Sequence, residues 1–106
     1  MEVEITTENY KENIEGSSVP VILDFWATWC GPCKVLSGTL DKISKEYGDE
    51  LVIGKCNVED AEDLAEIYSI RNVPTLIFIK NGEQVGRLTG ARSESEIKGM
   101  IDNLFK

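Results

Sequence analysis

Two cysteines, Cys30 and Cys33, stand two residues apart where an apolar run, Val19 to Trp26, meets a stretch of helical periodicity. This placement constrains the chain more than any other feature, because it asks for a strand that ends where a helix begins. Pro32 lies between the thiols and suits a first helical turn, where its missing N–H costs no hydrogen bond. A thiol at a helix N-terminus feels the positive end of the helix dipole, which favours the thiolate. The spacing also lets the pair close a small disulfide ring, so that one thiolate attacks a foreign disulfide and the other releases the mixed disulfide. Cys30 precedes the expected helix and Cys33 lies within its first turn, so Cys30 is expected to be the more exposed thiol and the attacking one. Two plainer readings carry less. A four-ligand zinc site needs further soft ligands, and the chain has no histidine and only Cys56 besides. A purely structural bridge would close a very short loop, which stabilises little in the chain-entropy picture.

The remaining sequence alternates strand and helix signals without a repeat, a low-complexity tract or a linker. Val3 to Thr6 reads as a short edge strand, and a polar helix follows from about Thr7 to before Gly16. Pro20 to Ala27 is apolar on both faces except at Asp24, as a central parallel strand should be. Leu36, Leu40, Ile43 and Tyr47 then recur at helical spacing up to Gly48. Leu51 to Asn57 is the next strand, and Asp60 to Tyr68 a short helix with Leu64 and Ile67 facing inward. Thr75 to Lys80 and Gln84 to Thr89 flank Asn81-Gly82, a tight-hairpin signal. Ser93 and Glu96 have capping-box spacing, and Ile97, Met100, Ile101, Leu104 and Phe105 mark one helix stripe. The order β-α-β-α-β-α-β-β-α predicts an α/β fold: a central mixed five-stranded sheet flanked by four helices on both faces.

The chain of 106 residues, 42% hydrophobic, is near the common size for one core, so residues 1–106 are expected to form a single domain. A net charge of -8 leaves no basic patch to neutralise phosphates, which argues against nucleic acid as a partner. No apolar run approaches the length of a membrane span, and Met1-Glu2-Val3-Glu4 has no signal-peptide character. The odd number of cysteines, three, suits a reducing compartment better than a disulfide scaffold, so a cytoplasmic location is expected.

Two residues break local rules before any likeness is considered. Asp24 is an acid inside Val21-Ile22-Leu23-Asp24-Phe25-Trp26, on the face of Ile22 and Trp26. Burial would disfavour its charged form and make it a proton acceptor near neutral pH; a strand-end acid that reaches solvent is the alternative. Pro74 heads the strand from Thr75, where a proline cannot donate to a central ladder, and base rates favour the trans form there.

Four separated motifs decide between these readings. Asp24-Phe25-Trp26-Ala27 with Trp29-Cys30-Gly31-Pro32-Cys33-Lys34, then Arg71-Asn72-Val73-Pro74-Thr75, then Lys80-Asn81-Gly82, then Gly90-Ala91 resemble the thioredoxin family, from about Val3 to Leu104. The resemblance implies the thioredoxin fold and a protein dithiol–disulfide oxidoreductase that reduces disulfides in client proteins and is recharged by a separate reductase. It implies a Cys30–Cys33 disulfide in the oxidised form, no metal, no cofactor and a monomer. It implies that Cys30 attacks, that Cys33 resolves, and that Asp24 helps deprotonate Cys33. Lys55, otherwise a strand lysine that snorkels to water, resembles the family's lysine near that acid. Gly31 and Pro32 resemble the spacer of reducing members and would tune the couple; oxidant and isomerase members often carry histidine there. The resemblance makes the Val73–Pro74 bond cis, with Val73 pairing an extended client segment by strand addition. Trp29, Gly31, Pro32, Val73, Pro74, Gly90 and Ala91 would line that docking patch, with Trp26 packed behind it.

Two positions depart from the family pattern. Gly38 stands where members usually have a helix-bending proline, and Asn72 where many have glycine. Cys56, within a strand, reads as a small buried hydrophobe. Besides the reductant, two readings remain: an oxidant or isomerase in an oxidising compartment, and a binding module that uses the fold as a clamp. The second is weakened because both cysteines are present.

Overall fold

The computed structural model describes residues 1–106 and arranges them about one five-stranded sheet. Its central strand, β2 (Val21–Trp26), is where the apolar run lies. β3 (Val52–Asn57) pairs with it in parallel and β4 (Thr75–Lys80) antiparallel. β1 (Glu2–Glu4) continues the sheet beyond β3, and β5 (Glu83–Thr89) beyond β4, in the order β1-β3-β2-β4-β5. The expected mixed five-stranded sheet is therefore present.

β2 is buried on both faces, which explains its nearly unbroken apolar sequence. Ile22 packs against Leu36, Leu40 and Ile43 of α1 (Gly31–Tyr47) and against Ile97 and Ile101 of α3 (Glu94–Phe105). Val21, Leu23 and Phe25 point the other way, toward Ile14, Tyr68 and Leu64 of α2 (Glu62–Ile67). Local chemistry sets the ends of these elements. α3 starts where the Ser93 side chain accepts the Glu96 N–H at 3.1 Å. The β4–β5 turn uses Asn81 at φ 54° and Gly82 at φ 80°, the left-handed pair that a two-residue hairpin requires. α1 runs unbroken through Gly38, where an added Cβ would meet nothing within 4 Å.

Three expectations change. The helix expected from Thr7 is a single five-residue π turn, Lys11–Glu15, closed by the Gly16 N–H on the Lys11 carbonyl at 3.0 Å. Polar side chains compete with the backbone there: Asn9 accepts the Thr6 N–H and donates to the Glu4 carbonyl, and Asn13 donates to the Asn9 carbonyl. The first strand is Glu2–Glu4 rather than Val3 to Thr6, because the Thr6–Asn9 turn takes over directly after Ile5 donates to Lys55 at 2.7 Å. Ile67 does not face inward: it is 65% exposed, and Tyr68 takes the inward place, its ring against Phe25 and Tyr10.

Gly54, in the middle of β3, is held small by its neighbours. A Cβ there would lie 2.7 Å from Ile5 Cγ1 and 3.2 Å from Leu23 Cδ1. Gly54→Ala is therefore expected to cost about 1–3 kcal/mol in urea unfolding through overpacking. Ile67→Ser, at the exposed position, should stay within about 0.5 kcal/mol of the parent. The reverse ranking would contradict the packing described.

Candidate active site

The carboxyl end of β2 leads through Ala27-Thr28-Trp29 to the first turn of α1, and short bonds hold this passage. The Thr28 N–H and hydroxyl both donate to Glu59 Oε1, at 3.0 and 2.9 Å, tying it to the loop after β3. The Cys30 N–H donates to the Ala27 carbonyl at 3.3 Å. Cys30 is the N-cap of α1, and its sulfur accepts the Cys33 N–H at 3.2 Å. Pro32 lies in the first turn, where no donor is missed. Cys30 and Cys33 form a disulfide, with Cα atoms 5.3 Å apart.

Cys30 is not the more exposed cysteine: both are 4% exposed, because Val58 and Val73 from distant loops pack over the pair. The two sulfurs differ in what they face. Cys30 Sγ lies 3.8 Å from the carbonyl oxygen of Val73. Cys33 instead lines an inner cavity of about 170 Å³ together with Asp24, Trp26, Ser37 and Lys55.

The Val73–Pro74 bond is cis. The Thr75 hydroxyl donates to the Asn72 carbonyl at 2.6 Å, which anchors the loop despite the departure at Asn72. The Gly90 N–H donates to the Pro74 carbonyl at 2.8 Å, bringing Gly90 and Ala91 beside the loop, with Gly90 at φ 91°. Neither the N–H nor the C=O of Val73 pairs with another backbone group. Trp29, 73% exposed, lines an apolar cleft of about 330 Å³ with Val58, Ala65, Ile70, Asn72 and Val73. Val58, Ala65 and Ile70 had no part in the sequence reading. Their signal was weak: isolated apolar residues after β3 and along α2.

Asp24 is 2% exposed, and its Oδ1 has no hydrogen-bond partner. Burial raises its carboxyl to about 7; the Lys55 charge opposes the rise and the Glu2 charge adds to it. Lys55 is its register neighbour on β3, but the ammonium lies against Ser37 Oγ at 2.6 Å, Glu2 at 3.1 Å and Asp41 at 3.5 Å. Cys56 is buried and unbridged, with burial pushing its thiol up to about 12, which disfavours the thiolate and suits the expected packing role. No three His, Cys, Asp or Glu side chains converge as a metal site, and no helix is long and apolar enough to cross a membrane.

Comparison with known proteins gives a consistent result. The chain matches the family model described as Thioredoxin over residues 1–103. It is 41% identical over 100 residues to "Thioredoxin" of Buchnera aphidicola subsp. Acyrthosiphon pisum (strain APS), covering 94% of this chain and 93% of that protein. It is 40% identical over 100 residues to "Thioredoxin C-2" of Corynebacterium nephridii, with the same coverage of 94% and 93%. Against "Thioredoxin M-type, chloroplastic" of Spinacia oleracea it is 38% identical over 99 residues, 93% of this chain and 55% of that protein.

The buried acid also makes stability depend on pH. A carboxyl whose folded pKa is raised binds its proton more tightly in the folded state. Its contribution is therefore complete below about pH 4 and is lost as pH rises through about 7. At about 1.4 kcal/mol per unit, the whole swing is at most about 4 kcal/mol. Asp24→Asn has no proton to lose, so it should match the parent near pH 4 and exceed its stability by a few kcal/mol near pH 8. Urea midpoints at the two pH values measure this, and a gap independent of pH would contradict it.

Proposed function

The chain belongs to the thioredoxin family and is a protein dithiol–disulfide oxidoreductase; from that premise we propose how its residues divide the reaction. Cys30 attacks first. As a thiolate, its sulfur is stabilised at the N-cap by the Cys33 N–H and by the dipole of a 17-residue helix. It displaces one sulfur of a client disulfide, which leaves as a thiolate and takes a proton, and a mixed disulfide forms. Cys33 then gives up its proton and attacks Cys30 Sγ. The Cys30–Cys33 disulfide closes, the second client thiol departs, and two electrons have passed to the client.

Asp24 is the acceptor of the Cys33 proton. It lines the same cavity as Cys33 and its pKa is brought near neutrality by burial, where a base works best. The cavity has room for water to carry the proton between them. Lys55 acts on that acid electrostatically. The free N–H and C=O of Val73 receive an extended client segment as an added strand, while Trp29, Gly31, Pro32, Pro74, Gly90 and Ala91 form the surrounding surface. Gly31 and Pro32 set the turn that links the thiols and thereby tune the couple. Disulfide-containing proteins are the clients, and a reductase that docks on the same surface returns the two electrons. We place this work in the cytoplasm, carried out by a monomeric single domain of residues 1–106. The odd cysteine count supports a reducing surrounding.

One observation supports this reading: Cys30 Sγ lies against the Val73 backbone, while Cys33 and not Cys30 lines the cavity that holds Asp24. Cys33→Ser is therefore expected to accumulate mixed disulfides with client proteins, and Cys30→Ser to trap at least about tenfold less. Non-reducing electrophoresis after reaction with a disulfide-bonded client reads this directly. Equal trapping by the two variants would remove the assignment.

A further inference from the structure

Lys55 lies beside the buried acid yet spends its charge elsewhere. An ammonium has three N–H donors. Three oxygens surround this one: Ser37 Oγ at 2.6 Å, Glu2 Oε1 at 3.1 Å and Asp41 Oδ1 at 3.5 Å. The ammonium donates to Ser37 and Asp41 and pairs with the Glu2 carboxylate, and no hydrogen bond runs from it to Asp24, whose Oδ1 is buried without a partner although the two residues are opposite each other in the β2–β3 register. The Lys55 stem also borders two spaces. One is the cavity with Asp24, Cys33 and Ser37, of about 170 Å³; the other is a cleft of about 390 Å³ lined by Glu2, Glu4, Trp26 and Asp60. A flexible four-carbon side chain with room on both sides takes whichever acceptors hold it better.

We propose that Glu2 of β1 and Asp41 of α1 are positioning residues that hold the Lys55 ammonium on their own carboxylates and leave the buried carboxyl of Asp24 without a hydrogen-bonded cation. The inference rests on the reading of Asp24 as proton acceptor, and it names what keeps that acceptor basic. An opposite charge brought within hydrogen-bonding distance would stabilise the Asp24 carboxylate and weaken it as a base. The other groups facing Asp24 do not substitute for this control. β4 places Leu76 opposite it, and α1 contributes Cys33 and Lys34 at the cavity wall. Glu2 has its own carboxyl raised, chiefly by burial, while Asp41 is lowered, chiefly by its hydrogen bond with Glu2. The two acids therefore share the lysine as a unit, with Ser37 completing its shell.

The Asp24 carboxyl can be titrated directly in the reduced protein by infrared difference spectroscopy, with Asp24→Asn identifying its band. Glu2→Gln and Asp41→Asn are each expected to lower its midpoint by about one unit, because the freed ammonium turns inward. Lys55→Gln should raise it. In the Lys55→Gln background, Glu2→Gln should shift it by less than half as much, since Glu2 acts through the lysine. An unshifted midpoint in Glu2→Gln, or an equal shift with and without Lys55, would overturn the proposal. The pH profile of Cys33 resolution, followed by stopped flow in the same variants, tests the underlying reading separately. A profile that moves with the Asp24 midpoint supports both. A moved midpoint with an unmoved profile supports the anchoring of Lys55 and overturns Asp24 as the acceptor.

Discussion

The active end of the molecule depends on β2 being hydrogen-bonded on both sides and buried on both faces. A strand so enclosed cannot shift register without moving its whole apolar set to the wrong face. Its last residues therefore deliver the chain to the start of α1 at a fixed place. The same enclosure makes Asp24 unusual. A carboxyl in this strand is almost wholly removed from solvent, so it is driven toward its neutral form and its pKa rises to about 7. Position and proton affinity thus have one origin.

The disulfide sits at a boundary between two environments, so two chemically identical side chains have different neighbours. On the Cys30 side the neighbouring groups are backbone dipoles: the Cys33 N–H and the carbonyl of Val73. On the Cys33 side they are ionisable groups in a small cavity. Overall exposure does not distinguish the thiols. What distinguishes them is that the helix terminus aims its N–H at the sulfur of the N-cap Cys30, while Cys33, inside the first turn, lines the cavity with Asp24.

Elements whose cause is local were legible in the sequence. β2, α1, α3 and the Asn81-Gly82 hairpin each carry periodicity, a cap or a turn pair within a few residues, and they lie where those signals put them. Misreadings arose where distant residues or competing local side-chain bonds decide. Ile67 loses the inward position because Tyr68 meets Tyr10 and Phe25. The first helix shrinks to one turn because Asn9 and Asn13 bond to nearby backbone. Cys30 is covered by Val58 and Val73, far along the chain, so its position before a helix said nothing about its burial. The carboxylates that hold Lys55 come from another strand and a helix, and no spacing rule links them.

The outer strands of the sheet have a bearing on self-association. β1 has only three residues and presents Glu2 and Glu4 at its rim, while β5 ends the other side with Glu83, Gln84 and Arg87 exposed. Short length and charge at a sheet edge discourage a second copy from zipping on. Val73, by contrast, offers unpaired backbone beside the sulfurs, in a cleft it shares with the exposed Trp29 and Arg71. Unpaired backbone of this kind carries a risk of aggregation by strand addition. Here the adhesive stretch is confined to one loop, too short and too curved to template a stack of its own kind.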